Sequence, residues 1–210
     1  MAEPPLIDVR VVGPFAANSY LLACPRTRDA VLIDPGDEAE SLIEMANGNT
    51  VHVLAILATH GHIDHVGAAA ETARRLGVPF RMHPADCFLV EALPQQALAF
   101  GLEPMSVPEM GEPLADRDII AMGDLRVRVL HTPGHTPGGV SFHVGGIVFS
   151  GDALFNGSIG RTDLPGGETE TLMASIRDRL LALDDDVRVY PGHGPETTIG
   201  FERRHNPFLS

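Results

Sequence analysis

Three histidines and one aspartate lie within six consecutive positions of the chain, in the segment ATHGHIDHVG (58–67). They are His60, His62, Asp64 and His65. Neutral imidazole and carboxylate are good ligands for divalent zinc, iron or manganese. His60 and His62 are two positions apart, so they cannot share a helix face, but they can converge on one ion from a loop. The segment therefore predicts a metal site without saying how many ions it holds.

Three further candidate ligands follow apolar runs later in the chain. They are His135 in VLHTPGH, Asp152 in VFSGD and His193 in VYPGH. Loops at the ends of strands on a rigid sheet commonly carry binding and catalytic groups. A glycine directly before each candidate permits a sharp turn or a close backbone approach that aims the next side chain inward. We therefore expect these loops and the 58–67 segment to meet at one edge of the fold.

The seven candidates divide into two ligand sets of three, with one residue left over. The first set is His60, His62 and His135; the second is Asp64, His65 and His193. Three protein ligands leave a coordination position open, which is the pattern of catalytic metal sites. The two oxygens of Asp152 could bridge the two ions, which at about 3.5–4 Å apart would share a hydroxide formed near neutral pH. Asp64 is predicted to act in catalysis as well as in metal binding.

The remaining histidines and the cysteines lack this context. His83 and His131 follow apolar residues without a glycine turn, so they are predicted to be structural or to orient a metal-ligand side chain by a hydrogen bond. No role is predicted for His52, His143 and His205. Asp34 in IDPGD is interpreted as a turn cap, with a contact to a ligand histidine as the alternative. The two cysteines, Cys24 and Cys87, are predicted to be buried structural thiols, as expected in a reducing compartment.

Many short strands with interspersed helices must position these residues. β-rich runs occur at 7–12, 19–23, 30–34, 51–58, 79–82, 125–130, 138–144, 146–150 and 187–190. Helical patterns occur at 37–47, 64–76, 85–100 and 169–183, and Pro94 must kink or split the third of these. The pattern predicts a layered α/β protein in which helices cover sheet faces.

The composition limits the function classes. The chain has 210 residues and 44% apolar residues, and no linker interrupts it, so residues 1–210 are predicted to form one domain. Its net charge of −13 argues against nucleic-acid and anionic-membrane partners, which are themselves negative. No apolar stretch approaches the roughly 20 residues of a membrane helix, and the start MAEPPLIDVR has no signal-peptide pattern. We expect a cytoplasmic protein that acts on a small molecule.

These residues resemble the metallo-β-lactamase fold superfamily, whose H-x-H-x-D-H motif matches the 60–65 segment. The resemblance extends from NSYLL through IDPGD to PGHGPETT. It implies an αββα sandwich of two mixed sheets, with helices on the outer faces and metals at one edge. The strings TPGHTPGG, GDALFNGSIGRTDLPGG and ERRHNPFL are most similar to short bacterial glyoxalase II-type hydrolases. That similarity implies a dinuclear thioester hydrolase that converts S-lactoylglutathione to lactate and glutathione, with zinc as the first candidate metal and iron or manganese as alternatives.

The chain departs from glyoxalase II at the glutathione-binding positions. That family has a G-K-F-Y-E run after its bridging aspartate, and its lysine position falls on Arg161, which is the predicted substrate contact. Its aromatic positions fall on Thr162 and Asp163, and only 17 residues follow His193, where the family has a helical extension. The resemblance therefore implies thioester cleavage and leaves the recognised thiol open.

Two alternative activities share the fold. A persulfide dioxygenase would hold one iron with His60, His135 and Asp152, and those enzymes also resemble this chain at GRTD. Their last histidine usually lies in a P-A-H-D context, whereas this chain has PGHG, which favours a hydrolase. A lactonase or β-lactamase is the third candidate, and the absence of a signal-peptide pattern disfavours the periplasmic lactamase.

Overall fold

Two β-sheets lie face to face in the computed structural model, which describes residues 3–209. The first sheet has five strands in the order β1-β2-β3-β4-β5. They are β1 (Leu6–Val12), β2 (Ala17–Ala23), β3 (Asp29–Ile33), β4 (His52–Leu57) and β5 (Phe80–Arg81). Strands β1 to β3 are antiparallel and β3 to β5 run parallel, so the sheet is mixed.

The second sheet has six strands in the order β13-β12-β9-β8-β7-β6. They are β6 (Ile119–Met122), β7 (Leu125–His131), β8 (Val140–Val144), β9 (Ile147–Gly151), β12 (Arg188–Pro191) and β13 (Thr197–Thr198). Only β9 and β12 are parallel, so this sheet is also mixed. A small hairpin of β10 (Leu154–Phe155) and β11 (Ser158–Ile159) follows β9.

Helices cover the outer faces of both sheets. On the first sheet lie α1 (Ala39–Gly48), α2 (Ile63–Val66), α3 (Ala69–Leu76), α4 (Cys87–Glu91) and α5 (Leu93–Ala99), with a 3₁₀ turn at Pro84–Asp86. On the second lie α6 (Thr169–Ser175), which continues as a π-helical turn (Ile176–Leu180), and α7 (Ile199–His205). The predicted αββα sandwich of two mixed sheets is confirmed.

Strand β2 shows why buried strands of this fold are apolar on both faces. Leu21 and Ala23 pack in the cluster beneath the first helix layer, whereas Tyr20 and Leu22 pack between the two sheets. Successive strand side chains point to opposite faces, so one strand contributes to two cores. In β7, Val127 is buried and Arg126 and Arg128 are exposed, as the sequence alternation predicts.

Two helical predictions need correction and several short elements were not predicted. The 64–76 segment is broken between α2 and α3 at Gly67, where an added Cβ would lie 2.6 Å from the Gly36 carbonyl oxygen. The apolar residues keep helical spacing across the break, so the sequence pattern did not predict the contact between Gly67 and Gly36. The helix predicted at 169–183 ends three residues early, at Leu180. Pro94 lies in the first turn of α5, so the predicted split of 85–100 is confirmed. The elements that were not predicted are β6, β10, β11, β13 and α7.

None of the helices in the 3–209 range combines the length and the apolar character that crossing a membrane requires. The assignment of residues 1–210 to a single domain stays a prediction.

Candidate metal centre

Six of the seven candidate ligands follow strands of the two parallel pairs, and His135 follows β7, which runs in the same direction as β9 because β8 is antiparallel to both. Strands β3 and β4 are parallel neighbours in one sheet, and β9 and β12 are parallel neighbours in the other. Parallel neighbours end at the same edge of a sheet, and ligands of α/β sheets commonly bind there. The loops after β4, β7, β9 and β12 therefore meet where the edges of the two sheets face each other.

The structure brings all seven predicted residues together. Three groups have ligand atoms within 4.8 Å of one another: His60, His62 and His135; His60, His65 and Asp152; and Asp64, His65 and His193. The first and third groups are the two ligand sets predicted from the sequence. The binding of metal by each of these side chains stays a prediction, but their placement matches it.

The first set has the spacing of ligands around one ion. Nδ1 of His62 lies 2.9 Å from Nε2 of His135. Two ligands of a tetrahedral ion at 2.0–2.1 Å are about 3.3 Å apart, so these nitrogens are close to the required separation. Nε2 of His60 is buried without a hydrogen-bond partner among the described residues. A buried polar atom without a partner is unfavourable, and a metal ion would satisfy it.

The second set has the same spacing. Nε2 of His65 lies 3.3 Å from Nε2 of His193, and Nε2 of His193 lies 3.2 Å from Oδ2 of Asp64. The His65 ring is fully buried, whereas the side chain of His193 is 29% exposed. The second set is therefore the more open side of the centre.

Asp152 lies between the two sets. Its Oδ1 is 3.4 Å from Nε2 of His65, and its Oδ2 is 3.6 Å from Nε2 of both His135 and His193. Oδ1 is the second buried polar atom of the centre that lacks a hydrogen-bond partner within residues 3–209. The donor atoms would therefore suit divalent ions at both sets, with Asp152 placed within reach of each.

Two glycines make this position of Asp152 possible for different reasons. Gly151 has a φ of +51°, which strongly favours glycine and turns the chain directly after β9. At Gly192 an added Cβ would lie 2.1 Å from Oδ1 of Asp152 and 2.7 Å from Cε1 of His65. The glycine before His193 thus serves close packing, whereas the one before Asp152 serves both the turn and close packing, since an added Cβ there would lie 2.4 Å from the Thr59 hydroxyl oxygen.

Asp34 orients two candidate ligands. Its Oδ2 accepts a hydrogen bond from Nδ1 of His65 at 3.0 Å and another from the Thr59 hydroxyl at 2.6 Å. The Thr59 oxygen in turn lies 3.1 Å from Nδ1 of His60. Each contact places the proton on Nδ1 and leaves the lone pair on Nε2, where a metal would bind. The interpretation of Asp34 as a turn cap is wrong, and the alternative, a contact to a predicted ligand histidine, is confirmed.

Backbone carbonyls orient the other two distant histidines. Nδ1 of His135 donates to the Arg161 carbonyl at 2.7 Å, and Nδ1 of His193 donates to the Ala16 carbonyl at 3.3 Å. Asn18, which the sequence did not single out, holds the His193 loop. Its side-chain amide donates to the carbonyls of Pro191 and Gly194, both at 2.9 Å. Asn18 and Thr59 could not be identified from the sequence. Asn18 bonds carbonyls 173 and 176 positions away, and the Thr59 hydroxyl donates to Asp34, 25 positions earlier.

The predicted substrate contact, Arg161, has its guanidinium at the surface. The side chain is 61% exposed and makes two hydrogen bonds of 2.7 Å to the carboxylate of Asp163. Its carbonyl, through His135, is the part that contacts the centre. The substrate role of the guanidinium stays a prediction.

The other predicted polar residues lie outside the three ligand groups. His83 and His131 stack on each other with ring centroids 4.4 Å apart, which supports a structural role. His52, His143 and His205 belong to none of the groups. Both cysteines are free; Cys24 is buried as predicted, but Cys87 is only half-buried.

Burial and charge shift the histidine pKa values of the two sets in opposite directions. Burial and the neighbouring histidines hold the pKa of His60 well below its usual value and lower that of His62 to about 3. Burial would also lower the pKa of His65, but the carboxylates of Asp152, Asp64 and Asp34 outweigh it and raise that pKa to about 10. The pKa of His193 is raised for a similar reason, mainly by its hydrogen bond to Asp64.

A family model described as the metallo-β-lactamase superfamily matches residues 12–193. The chain belongs to the metallo-β-lactamase superfamily. It is 45% identical to the hydroxyacylglutathione hydrolase GloC of Haemophilus influenzae, over 97% of this chain and 98% of that relative.

Two solved structures are similar to this one along almost the whole chain. The crystal structure of the BLEG-1 B3 metallo-β-lactamase has a TM-score of 0.90 and 37% identity, and the match covers 98% of this chain and 100% of that one. The crystal structure of TTHA1623 in a di-iron-bound form has a TM-score of 0.87 and 45% identity, with 96% and 100% coverage. Together with the ligand groups, these matches identify a metal-binding hydrolase of the metallo-β-lactamase superfamily.

Metal loading of the two sets is expected to depend differently on pH. A metal at the second set must displace a proton from His65 and, toward the lower end of the range, from His193, so its affinity falls at least about tenfold per pH unit as the pH decreases from about 8.5 to 6.5. His60 and His62 are already neutral in this range, so the first set responds less. Zn²⁺ titration of the metal-free protein against a chromophoric chelator at several pH values measures both affinities. Equal pH dependence of the two binding steps would contradict this assignment.

Proposed function

We propose that the protein is a dinuclear hydrolase of thioesters, similar to hydroxyacylglutathione hydrolase. The observation that carries this proposal is the position of Asp152, whose carboxylate lies within 3.6 Å of imidazoles from both ligand sets. A one-iron site of His60, His135 and Asp152 would leave the complete group of Asp64, His65 and His193 without a metal. The 45% identity to the GloC hydrolase along nearly the full length of both chains supports the thioester class.

The residues of the centre prepare it for attack on a carbonyl. When bound, two divalent ions supply a Lewis acid for the substrate carbonyl and lower the pKa of water to about 7. Asp34, Thr59 and the Arg161 carbonyl hold the imidazoles of His60, His65 and His135 in the tautomer that a metal requires. Because Asp64 and Asp152 offset only two of four positive charges, the centre favours the negative charge that develops on the carbonyl oxygen.

A thioester suits a site that has no obvious acid for the leaving group. A thiol has a pKa near 8.5, so a thiolate leaves without much protonation. Neither cysteine belongs to a ligand group, and hydrolysis by activated water needs no serine or cysteine nucleophile. We propose a small-molecule thioester as substrate and zinc as the metal, with iron or manganese as alternatives that imidazole and carboxylate also suit.

The test is metal analysis of freshly purified protein together with hydrolysis of S-lactoylglutathione. We expect about two equivalents of metal and turnover that is lost on chelation and regained when the metal is restored. One equivalent of iron without thioester turnover, but with oxygen uptake on glutathione persulfide, would instead support the persulfide dioxygenase.

Two control substrates sharpen this test. A β-lactam addresses the third candidate activity, which the similarity to the BLEG-1 B3 metallo-β-lactamase favours. A lactoyl thioester of an uncharged thiol addresses glutathione recognition, because it retains the reacting bond and removes the carboxylates. Hydrolysis of the β-lactam with no turnover of either thioester would contradict the proposal.

A further inference from the structure

Asp86 is a fully buried carboxylate outside the predicted site. It ends the 3₁₀ turn Pro84–Asp86, directly before α4. Its Oδ2 accepts hydrogen bonds from the Gly61 amide at 2.9 Å and from the Thr136 hydroxyl at 2.7 Å. Its Oδ1 accepts a hydrogen bond from the Gly138 amide at 2.5 Å. Both oxygens are therefore used as acceptors.

The donors lie beside the residues of the first ligand set. Gly61 separates His60 from His62, and Thr136 directly follows His135. One carboxylate thus joins the loop after β4 to the loop after β7, which are distant in sequence. No comparable contact of Asp86 reaches Asp64, His65 or His193.

The contacts leave little freedom for either loop. An added Cβ at Gly138 would lie 2.7 Å from Cγ of Asp86, and one at Gly61 would lie 3.0 Å from the Asp86 carbonyl oxygen. Asp86 accepts its three hydrogen bonds from two backbone amides and one hydroxyl, so neutral donors stabilise its charge at short range. Asparagine could not replace it, because an amide accepts hydrogen bonds at only one of its two ends.

We propose that Asp86 is a positioning residue that sets the geometry of the His60, His62 and His135 set and leaves the second set unaffected. It fixes the relative position of the two loops before any metal binds, so that three imidazoles converge without the cost of ordering them. The inference rests on the proposed metal centre, but it is independent of the substrate.

The test is Zn²⁺ titration of metal-free wild-type protein and Asp86→Ala. The ¹⁵N resonances of the histidine ring nitrogens report which set each equivalent of Zn²⁺ fills. We expect affinity at the first set to fall about 10- to 100-fold, as for other groups that orient metal ligands, while affinity at the second set changes less than about threefold. Because no substrate is involved, an inactive thioester assay would leave this result intact.

Reciprocal and structural controls separate positioning from general destabilisation. Asn18→Ala releases the His193 loop, so it should weaken the second set and spare the first. Glu202→Gln alters another fully buried carboxylate with three hydrogen bonds, to Gly157, Thr197 and Asn206, and should lower the melting temperature without weakening the first set.

Thr136→Val keeps the test decisive if Asp86→Ala does not fold. It removes one hydrogen bond to Asp86 with little change in volume, and should weaken only the first set, by less than Asp86→Ala. The proposal would be overturned if Asp86→Ala weakened both sets equally or left the affinity of the first set unchanged. If Asp86→Ala does not fold, the same two outcomes in Thr136→Val would overturn it.

Discussion

Replacing Asp152 with alanine is expected to lower kcat/KM for thioester hydrolysis by about 1000-fold or more. Bound metal should fall from about two equivalents to one or fewer. The reason is geometric. Oδ1 of Asp152 lies 3.4 Å from Nε2 of His65, and Oδ2 lies 3.6 Å from Nε2 of both His135 and His193, so the carboxylate faces both sets. Without it the two sets lose their shared ligand and one of the two negative charges that the ligands supply. Steady-state kinetics and metal analysis measure both effects.

The Asp152 variant needs a control for folding and a graded substitution. Circular dichroism and the melting temperature of the metal-free variant measure the effect on folding, because the substitution also removes the carboxylate that lies 3.4 Å from the buried His65 ring nitrogen. Asp152→Asn keeps the shape and one carbonyl oxygen, so it should retain more metal than the alanine variant. A variant that keeps both metal equivalents and wild-type kcat/KM would show that Asp152 does not bridge.

Replacing Asp34 with alanine is expected to lower both stability and metal content. The carboxylate is 1% exposed and accepts hydrogen bonds from the Thr59 amide, the Thr59 hydroxyl and the His65 ring. Removing it leaves buried donors without a partner, at a cost of about 3 kcal/mol in the free energy of unfolding. For a chain of this length the melting temperature should fall by about 6–12 °C.

The metal effect of Asp34→Ala should exceed what instability explains. His65 loses the acceptor that holds its Nδ1 proton, so we expect affinity at the second set to fall about 10- to 100-fold. Asp178→Ala, at an exposed position of the π-helical turn, is the control and should change the free energy of unfolding by less than about 0.5 kcal/mol. A variant with the melting temperature and both metal affinities of wild type would contradict the assigned role.

Elements with strong local patterns were predictable, and elements built from tertiary contacts were not. The alternation in β7 and the apolar residues at positions 20–23 of β2 each reflect the burial of their own side chains, which a local window records. The break between α2 and α3 arises because Gly67 packs against Gly36, 31 positions earlier, while the apolar periodicity continues across it. Two-residue strands such as β13 are also too short for any periodic signal.

The sequence by itself determined which residue types are available for metal binding and where the chain must turn. His60, His62, Asp64 and His65 are neighbours in the chain, and the glycine turns before His135, Asp152 and His193 are local features, so a linear reading finds them. Only the tertiary structure decided that Asp152 lies between the two sets, and which ring nitrogen each histidine presents. The ring orientations depend on Asp34 and on the Arg161 and Ala16 carbonyls, whose hydrogen bonds reach His65, His135 and His193 from far away in the sequence. Such contacts form only when both sheets are assembled, because the loops that carry them belong to different strands.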